Sequence, residues 1–272
     1  MIGLLLVIVI GLLWFSLRYA WWRPNISDTQ PRILMYHMVA PHREAARFNG
    51  LRVTPENFEL QLGWLREHGW SSYTISELMA MGHQVPAKSV AITFDDGYQD
   101  NLTAALPLLE QYDFKATVYL VVDRMNNDWS VNRKAHHDEG ELMREAKLND
   151  EQVHQMLASG RIELASHSLT HPNLLDCDDN QLHKELAESR QQLEVKFSVP
   201  VKSFAYPFGL YRSDQVSVVD VCGYTSAVTT QEGINEALTE NSLQLKRIKV
   251  SGKDSMRTFS QRMRTGQRGM LR

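Results

Sequence analysis

Residues 2–17 form an uncharged, almost wholly apolar run that Arg18 closes, and Tyr19, Trp21 and Trp22 follow ahead of Arg23. Counted through Trp22, the run reaches the roughly 20 residues of a bilayer-spanning helix, with aromatic side chains where the headgroups would lie. No basic stretch precedes it and no small-residue cleavage site stands before the Trp pair, so residues 1–23 read as an uncleaved transmembrane anchor rather than a signal peptide. After a Pro/Asn/Ser/Asp linker (24–31) the pattern changes to short apolar runs that alternate with amphipathic stretches. Runs at 32–37, 70–75, 90–94, 115–122, 162–165, 202–206, 224–228 and 245–250 are brief and rich in β-branched and aromatic residues, as buried strands are. Helical spacing covers 55–68, where Thr54 caps and Pro55 opens the first turn, and 76–81, with Ser76 as the cap. It returns at 100–112, 141–159, 179–197 and 213–221, while 123–140 is polar and irregular.

Strands alternating with helices predict a parallel sheet, and seven or eight such units without a dinucleotide-binding loop predict a (β/α)7-8 barrel over residues 32–252. No internal repeat or second domain boundary interrupts it. The chain has 272 residues, 43% hydrophobic and 22% charged, a composition that supports one barrel-sized core. A net charge of −3 gives no general affinity for nucleic acid, and Cys177 and Cys222 have neither metal-type spacing nor the number for a disulfide framework. Residues 253–272 carry Arg257, Arg262, Arg264, Arg268 and Arg272, with no acid from Arg257 onward. They read as a solvated, loosely ordered basic tail, with contact to anionic lipid as the alternative. Arg18, Arg23 and Arg32 all follow the apolar run, so a single-pass protein of a bacterial-type inner membrane is expected, the charge rule favouring a cytoplasmic domain.

Chemistry-bearing residues collect at the C-terminal ends of these strands. His37 ends the first, Asp95 and Asp96 end the run at 90–94, His167 follows 162–165, and Tyr206-Pro207 ends 202–206. In a (β/α) barrel those ends share one rim, where active sites are built. Asp95-Asp96-Gly97 by itself reads equally as an ordinary turn, but two close carboxylates need a cation or a shared proton. His167 and His171, at i and i+4, place two imidazoles on one face of a helical turn, and a neighbouring carboxylate completes a two-His, one-carboxylate metal site. The bland alternative is one capping and one surface histidine. His136 and His137 read as part of a solvated loop, Trp64 and Trp70 as core. Tyr206 and Tyr211 read either as lining of a sugar cleft or as packing.

Thr93-Phe94-Asp95-Asp96-Gly97, together with His167-Ser168-Leu169-Thr170-His171-Pro172, resembles the polysaccharide deacetylases, the NodB-type domain of carbohydrate esterase family 4. The resemblance extends over roughly residues 32–250. It implies a metal-dependent hydrolase that removes N-acetyl groups from GlcNAc-type sugars of a glycan. Asp95 would be the base, metal-bound water the nucleophile, and Asp96, His167 and His171 the ligands of Zn2+, or of Co2+, Ni2+ or Mn2+. Phe204 to Gly209 is similar to the family's third motif, which implies that the Phe208 amide, after Tyr206 and Pro207, holds the oxyanion. Ala205 stands where that motif often has the Arg that orients the base, and Arg247 is the candidate replacement. No His follows His183, whereas Met35-Tyr36-His37 resembles the permuted poly-N-acetylglucosamine deacetylase branch, which implies His37 as the acid. An O-deacetylase and a non-catalytic glycan-binding protein are the alternatives.

Overall fold

The computed structural model describes residues 2–134, 136–137 and 139–269; Met1, Ala135, Asp138 and residues 270–272, Arg272 of the basic stretch among them, lie outside it. In chain order the elements are α1 (Ile2–Tyr19), β1 (Arg32–Tyr36), β2 (Met38–Val39), β3 (Arg52–Val53), α2 (Pro55–Glu67), β4 (Ser71–Ser72), α3 (Ile75–Met81) and β5 (Ser89–Asp96). They continue with α4 (Leu106–Tyr112), β6 (Ala116–Leu120), α5 (Ser130–Arg133), α6 (Asp150–Ala158) and β7 (Ile162–Ser166). The last are α7 (Asp179–Phe197), β8 (Ser203–Ala205), α8 (Gln215–Val221), β9 (Ser226–Glu232), β10 (Leu245–Lys249) and α9 (Met256–Thr265).

Strands β1, β10, β9, β8, β7, β6 and β5 neighbour one another in that order, all parallel. Pairing of β1 with β5, Arg32 opposite Val90 through Tyr36 opposite Phe94, closes a seven-stranded barrel. The two-residue β4 only extends the foot of β5, so the expected 70–75 strand adds no eighth stave. Alternation then decides which side chains enter. Ile33, Ala91, Tyr119, Ala165, Ala205, Val228 and Leu245 meet inside, one from each of the seven strands. Their neighbours Leu34, Ile92, Val118, Leu164, Phe204, Ala227 and Ile248 face outward and are covered by the helices. A strand buried on both sides has no polar face to alternate with, which is why these runs read as continuous apolar stretches.

Several boundaries differ from the sequence pattern for local reasons. Thr74, not Ser76, caps α3, because its side chain and that of Glu77 form a reciprocal capping box. Only 150–158 of the expected 141–159 helix is helical: Asn149 and Gln152 start it with another capping box, while Glu141 and Glu145 are drawn away to Arg52. The expectation of a loose basic tail is corrected. Residues 256–265 form α9, Ser255 caps it, Phe259 and Met263 are buried, and Arg262 pairs with Glu232 and Asp254. The linker is tied down as well, since the Ile26 N–H donates to the Arg264 carbonyl (2.9 Å) and buried Arg32 donates to the carbonyls of Ile26 (3.0 Å) and Met263 (2.8 Å). Among the described residues no helix is long and apolar enough to cross a membrane. α1 is nevertheless almost wholly apolar, with Leu4 through Trp14 exposed, and Arg257 lies over its Phe15 and Tyr19 rings.

Candidate active site

Two residues beyond Ile33–Ala91 in the inward series stand Met35 and Thr93, and the next on β5 is Asp95. Its carboxylate meets Arg247, which enters from β10 by the same alternation. Arg247 Nη1 and Nη2 donate to Asp95 Oδ1 and Oδ2, both at 2.7 Å, a bidentate pair that is buried on both sides. The guanidinium is itself fixed by Nε to the Thr229 carbonyl (2.9 Å) and by Nη1 to Thr93 Oγ1 (3.1 Å). Burial by itself would raise the Asp95 carboxyl, but the charge and hydrogen bonds of Arg247 outweigh it and hold the group below the usual carboxylate range. Small Ala91, Ala165 and Ala205 leave the interior room for so large a side chain.

Asp96 would point out of the barrel by alternation. A backbone φ of 77° turns it to the rim instead, and Gly97 follows at φ 76°, where an added Cβ would lie 2.3 Å from Leu120 Cδ1. Asp96 Oδ1 lies 3.5 Å from His167 Nε2 and 3.5 Å from His171 Nε2, and the two Nε2 atoms are 3.2 Å apart. All three side chains are buried. The expected helical turn between the histidines is not what unites them: residues 167–171 are a loop, and left-handed Ser168 (φ 69°) and His171 (φ 58°) fold it back on itself. His167 Nδ1 lies 2.8 Å from the Ala205 carbonyl, so this nitrogen carries the proton and Nε2 presents its lone pair to Asp96 and His171. Burial pushes His171 down to about 3, keeping it neutral. Two imidazole lone pairs and a carboxylate, converging within 4.8 Å, form the donor set of a divalent transition-metal site.

These groups floor a cleft of about 420 Å³ lined also by Met35, His37, Trp129, Tyr206, Phe208 and Lys249. His37 lies just past β1. Its segment is held from the turn after β5, where Asn101 Nδ2 donates to the His37 carbonyl (2.9 Å) and the Val39 N–H donates to Asp100 Oδ1 (2.8 Å). Phe208 occupies a left-handed conformation (φ 57°) and sets its ring edge-on to His171, centroids 4.5 Å apart. Asp96, Ser168, His171 and Phe208 thus gather four left-handed non-glycine residues around one point, a concentration of backbone strain typical of functional sites. Tyr206 reaches the cleft, whereas Tyr211 stacks on Tyr206 (4.0 Å) and does not line it. His137 lines it too, so the loop expected to be merely solvated contributes a wall; His136 does not. Trp129, buried against His171 at 5.1 Å, was not foreseen; a lone Trp in the polar 123–140 stretch was its only signal.

A parallel barrel with an Asp–His–His cluster able to hold a metal at its C-terminal rim, and an arginine-held carboxylate beside it, has the arrangement of a hydrolase site. The comparisons narrow that class. Residues 82–227 match the family model described as Polysaccharide deacetylase, and the chain belongs to this family. It is 31% identical over 233 residues to the protein named polysaccharide deacetylase YxkH in Bacillus subtilis (strain 168), covering 85% of this chain and 75% of that one. It is 24% identical over 264 residues to the poly-beta-1,6-N-acetyl-D-glucosamine N-deacetylase of Escherichia coli (strain K12), covering 86% of this chain but 38% of the relative. The structure of BC0361, a polysaccharide deacetylase from Bacillus cereus, superposes with a TM-score of 0.72 at 25% identity, covering 86% of this chain and 69% of that one.

Proposed function

We propose that the protein is a metal-dependent N-deacetylase of a glycan that contains N-acetylglucosamine-type sugars. The observation that carries this reading is the placement of Asp95, fixed by both oxygens to Arg247, beside the Asp96–His167–His171 cluster in one cleft. Asp96, His167 and His171 would hold a divalent ion, Zn2+ first by donor type; when bound, it acidifies a water and polarises the acetamide carbonyl. Asp95, kept ionised by Arg247, takes the proton of the attacking water. Arg247 also prevents the carboxylate from rotating, and so performs from β10 the task for which Ala205 has no side chain. The Phe208 N–H donates to the oxygen on which negative charge develops. His37, which lines the same cleft, protonates the nitrogen, because an amine cannot leave as its anion at neutral pH. Support for the sugar comes from the poly-N-acetylglucosamine deacetylase among the relatives.

The test is acetate release from chitooligosaccharides and poly-N-acetylglucosamine fragments, with chelator and after Zn2+ is restored. Release that chelator abolishes and Zn2+ recovers is expected. No acetate from any N-acetylated glycan, or release indifferent to chelator, overturns the reading. We further propose that α1 and the Trp pair hold the enzyme in the inner membrane: the helix alone, 18 residues or about 27 Å, falls short of the ~30 Å hydrocarbon layer, and the apolar segment continued through Trp21 and Trp22 comes close to it.

A further inference from the structure

Most of the inward-facing or half-buried cations of this protein are committed to carboxylates. Arg52 pairs with Glu141 and Glu145, Arg247 with Asp95, Arg262 with Glu232 and Asp254, and Arg124 with Asp150. The cleft wall is the exception. Arg133, Lys134 and Lys249 line it, and among the described residues the side chains of these three have no hydrogen bond or ion pair. The acids that line the same cleft, Asp95 and Asp96, are already engaged, one by Arg247 and the other by the His pair.

Arg133 and Lys134 are exposed and Lys249 is half-buried, and the segments that carry them to the cleft are braced from within. Arg133 ends α5, whose segment is pinned to the metal site: Trp129 packs on the His171 ring and Asn132 Nδ2 donates to the His171 carbonyl (3.0 Å). Ser130 Oγ donates to the His137 carbonyl (2.9 Å) and so closes the loop that presents Arg133 and Lys134. Lys249 ends β10, two residues beyond Arg247. It is half-buried, and burial lowers its pKa; Glu232 opposes that shift, and Arg133 and Arg247 add to it. Gathering like charges around a concave site costs stability, and a bound anion removes that cost.

We propose that this cleft is built for an acidic glycan, one with a carboxylate or phosphate on the sugar next to the N-acetylated unit, and that Arg133, Lys134 and Lys249 recognise that anion. The proposal rests on the deacetylase reading of the same site and adds its substrate class. A neutral polymer draws nothing from the three cations, and one already carrying free amines is repelled by them.

The full chain, loaded with Zn2+, tests this on matched substrates: a tetrasaccharide of alternating N-acetylglucosamine and glucuronic acid, the same molecule with its carboxyls reduced to alcohols, and a phosphodiester-bearing N-acetylglucosamine oligomer. For one of the acidic substrates kcat/KM should exceed that of the neutral one by about tenfold or more, and the advantage should shrink as salt is raised. Whichever acidic substrate shows it identifies the anion. The double variant Arg133→Gln/Lys134→Gln should lower the acidic-to-neutral ratio at least about fivefold, mainly through KM. Equal rates on acidic and neutral substrates, or a ratio that the double variant leaves unchanged, overturn the proposal while the deacetylase reading stands. No acetate from any of the three overturns both.

Discussion

Asp95 and Asp96 are adjacent and chemically identical, yet the structure gives them separate surroundings. Asp95 continues the inward series of β5 and is held by Arg247; Asp96 leaves that series through a left-handed backbone and faces two imidazoles. This difference supports distinct roles, which separate when acetate release and bound metal are measured on the same samples. Asp95→Asn should lower turnover by about 10²–10⁴-fold with metal content preserved, whereas His167→Ala should lose the metal. If Asp95→Asn loses metal to the same extent, Asp95 is a ligand and not the base. His37→Ala should resemble Asp95→Asn, with low turnover and full metal; near wild-type rates would move the acid elsewhere.

At the scale of elements, the site depends on pieces that are not themselves catalytic. The turn after β5 holds the His37 segment through Asp100 and Asn101, and α5 with Trp129 braces the His171 loop. α9 has a comparable structural part, since Phe259 and Met263 fill the space against the barrel and Arg262 closes it with two acids. Met263→Ala should therefore destabilise the protein by about 2–5 kcal/mol in urea unfolding. A loose tail would give no measurable change. The sequence pattern missed this helix because three arginines in ten residues outweigh its few apolar positions, and it does not show that Glu232 and Asp254 wait for one of them.

For the whole molecule, the barrel brings together residues separated by the length of the domain. His37 and Lys249 line one cleft because β1 and β10 are adjacent staves. The same closure places the end of α1 beside α9, where Arg264 donates to the Asn25 side chain (3.0 Å) and Arg257 lies over Tyr19. If α1 anchors the enzyme, the full chain should sediment with membranes and resist extraction by salt. A chain lacking residues 2–23 should appear in the supernatant while keeping its acetate release. Recovery of the full chain in the supernatant would overturn the anchor, and a reporter fused after Arg272 reads on which side the domain lies.

Strand and helix order, and with it the parallel barrel, follows from the chain pattern, because buried parallel strands leave short continuous apolar runs and amphipathic helices leave a 3.6-residue period, and both survive in one dimension. That Asp96, His167 and His171 would gather into a cluster able to hold a metal, with Asp95 beside it, was legible as well, since adjacent carboxylates and paired histidines at strand ends are costly without a cation. Arg247 could be named only as a candidate: 152 residues separate it from Asp95, and the bidentate contact exists only once the barrel closes. The left-handed turns that unite Asp96, His167 and His171, the bracing of Trp129 and the three cations without ion-pair partners on the cleft wall were decided by tertiary structure. Each depends on which backbone passes close to which, and no local pattern encodes that.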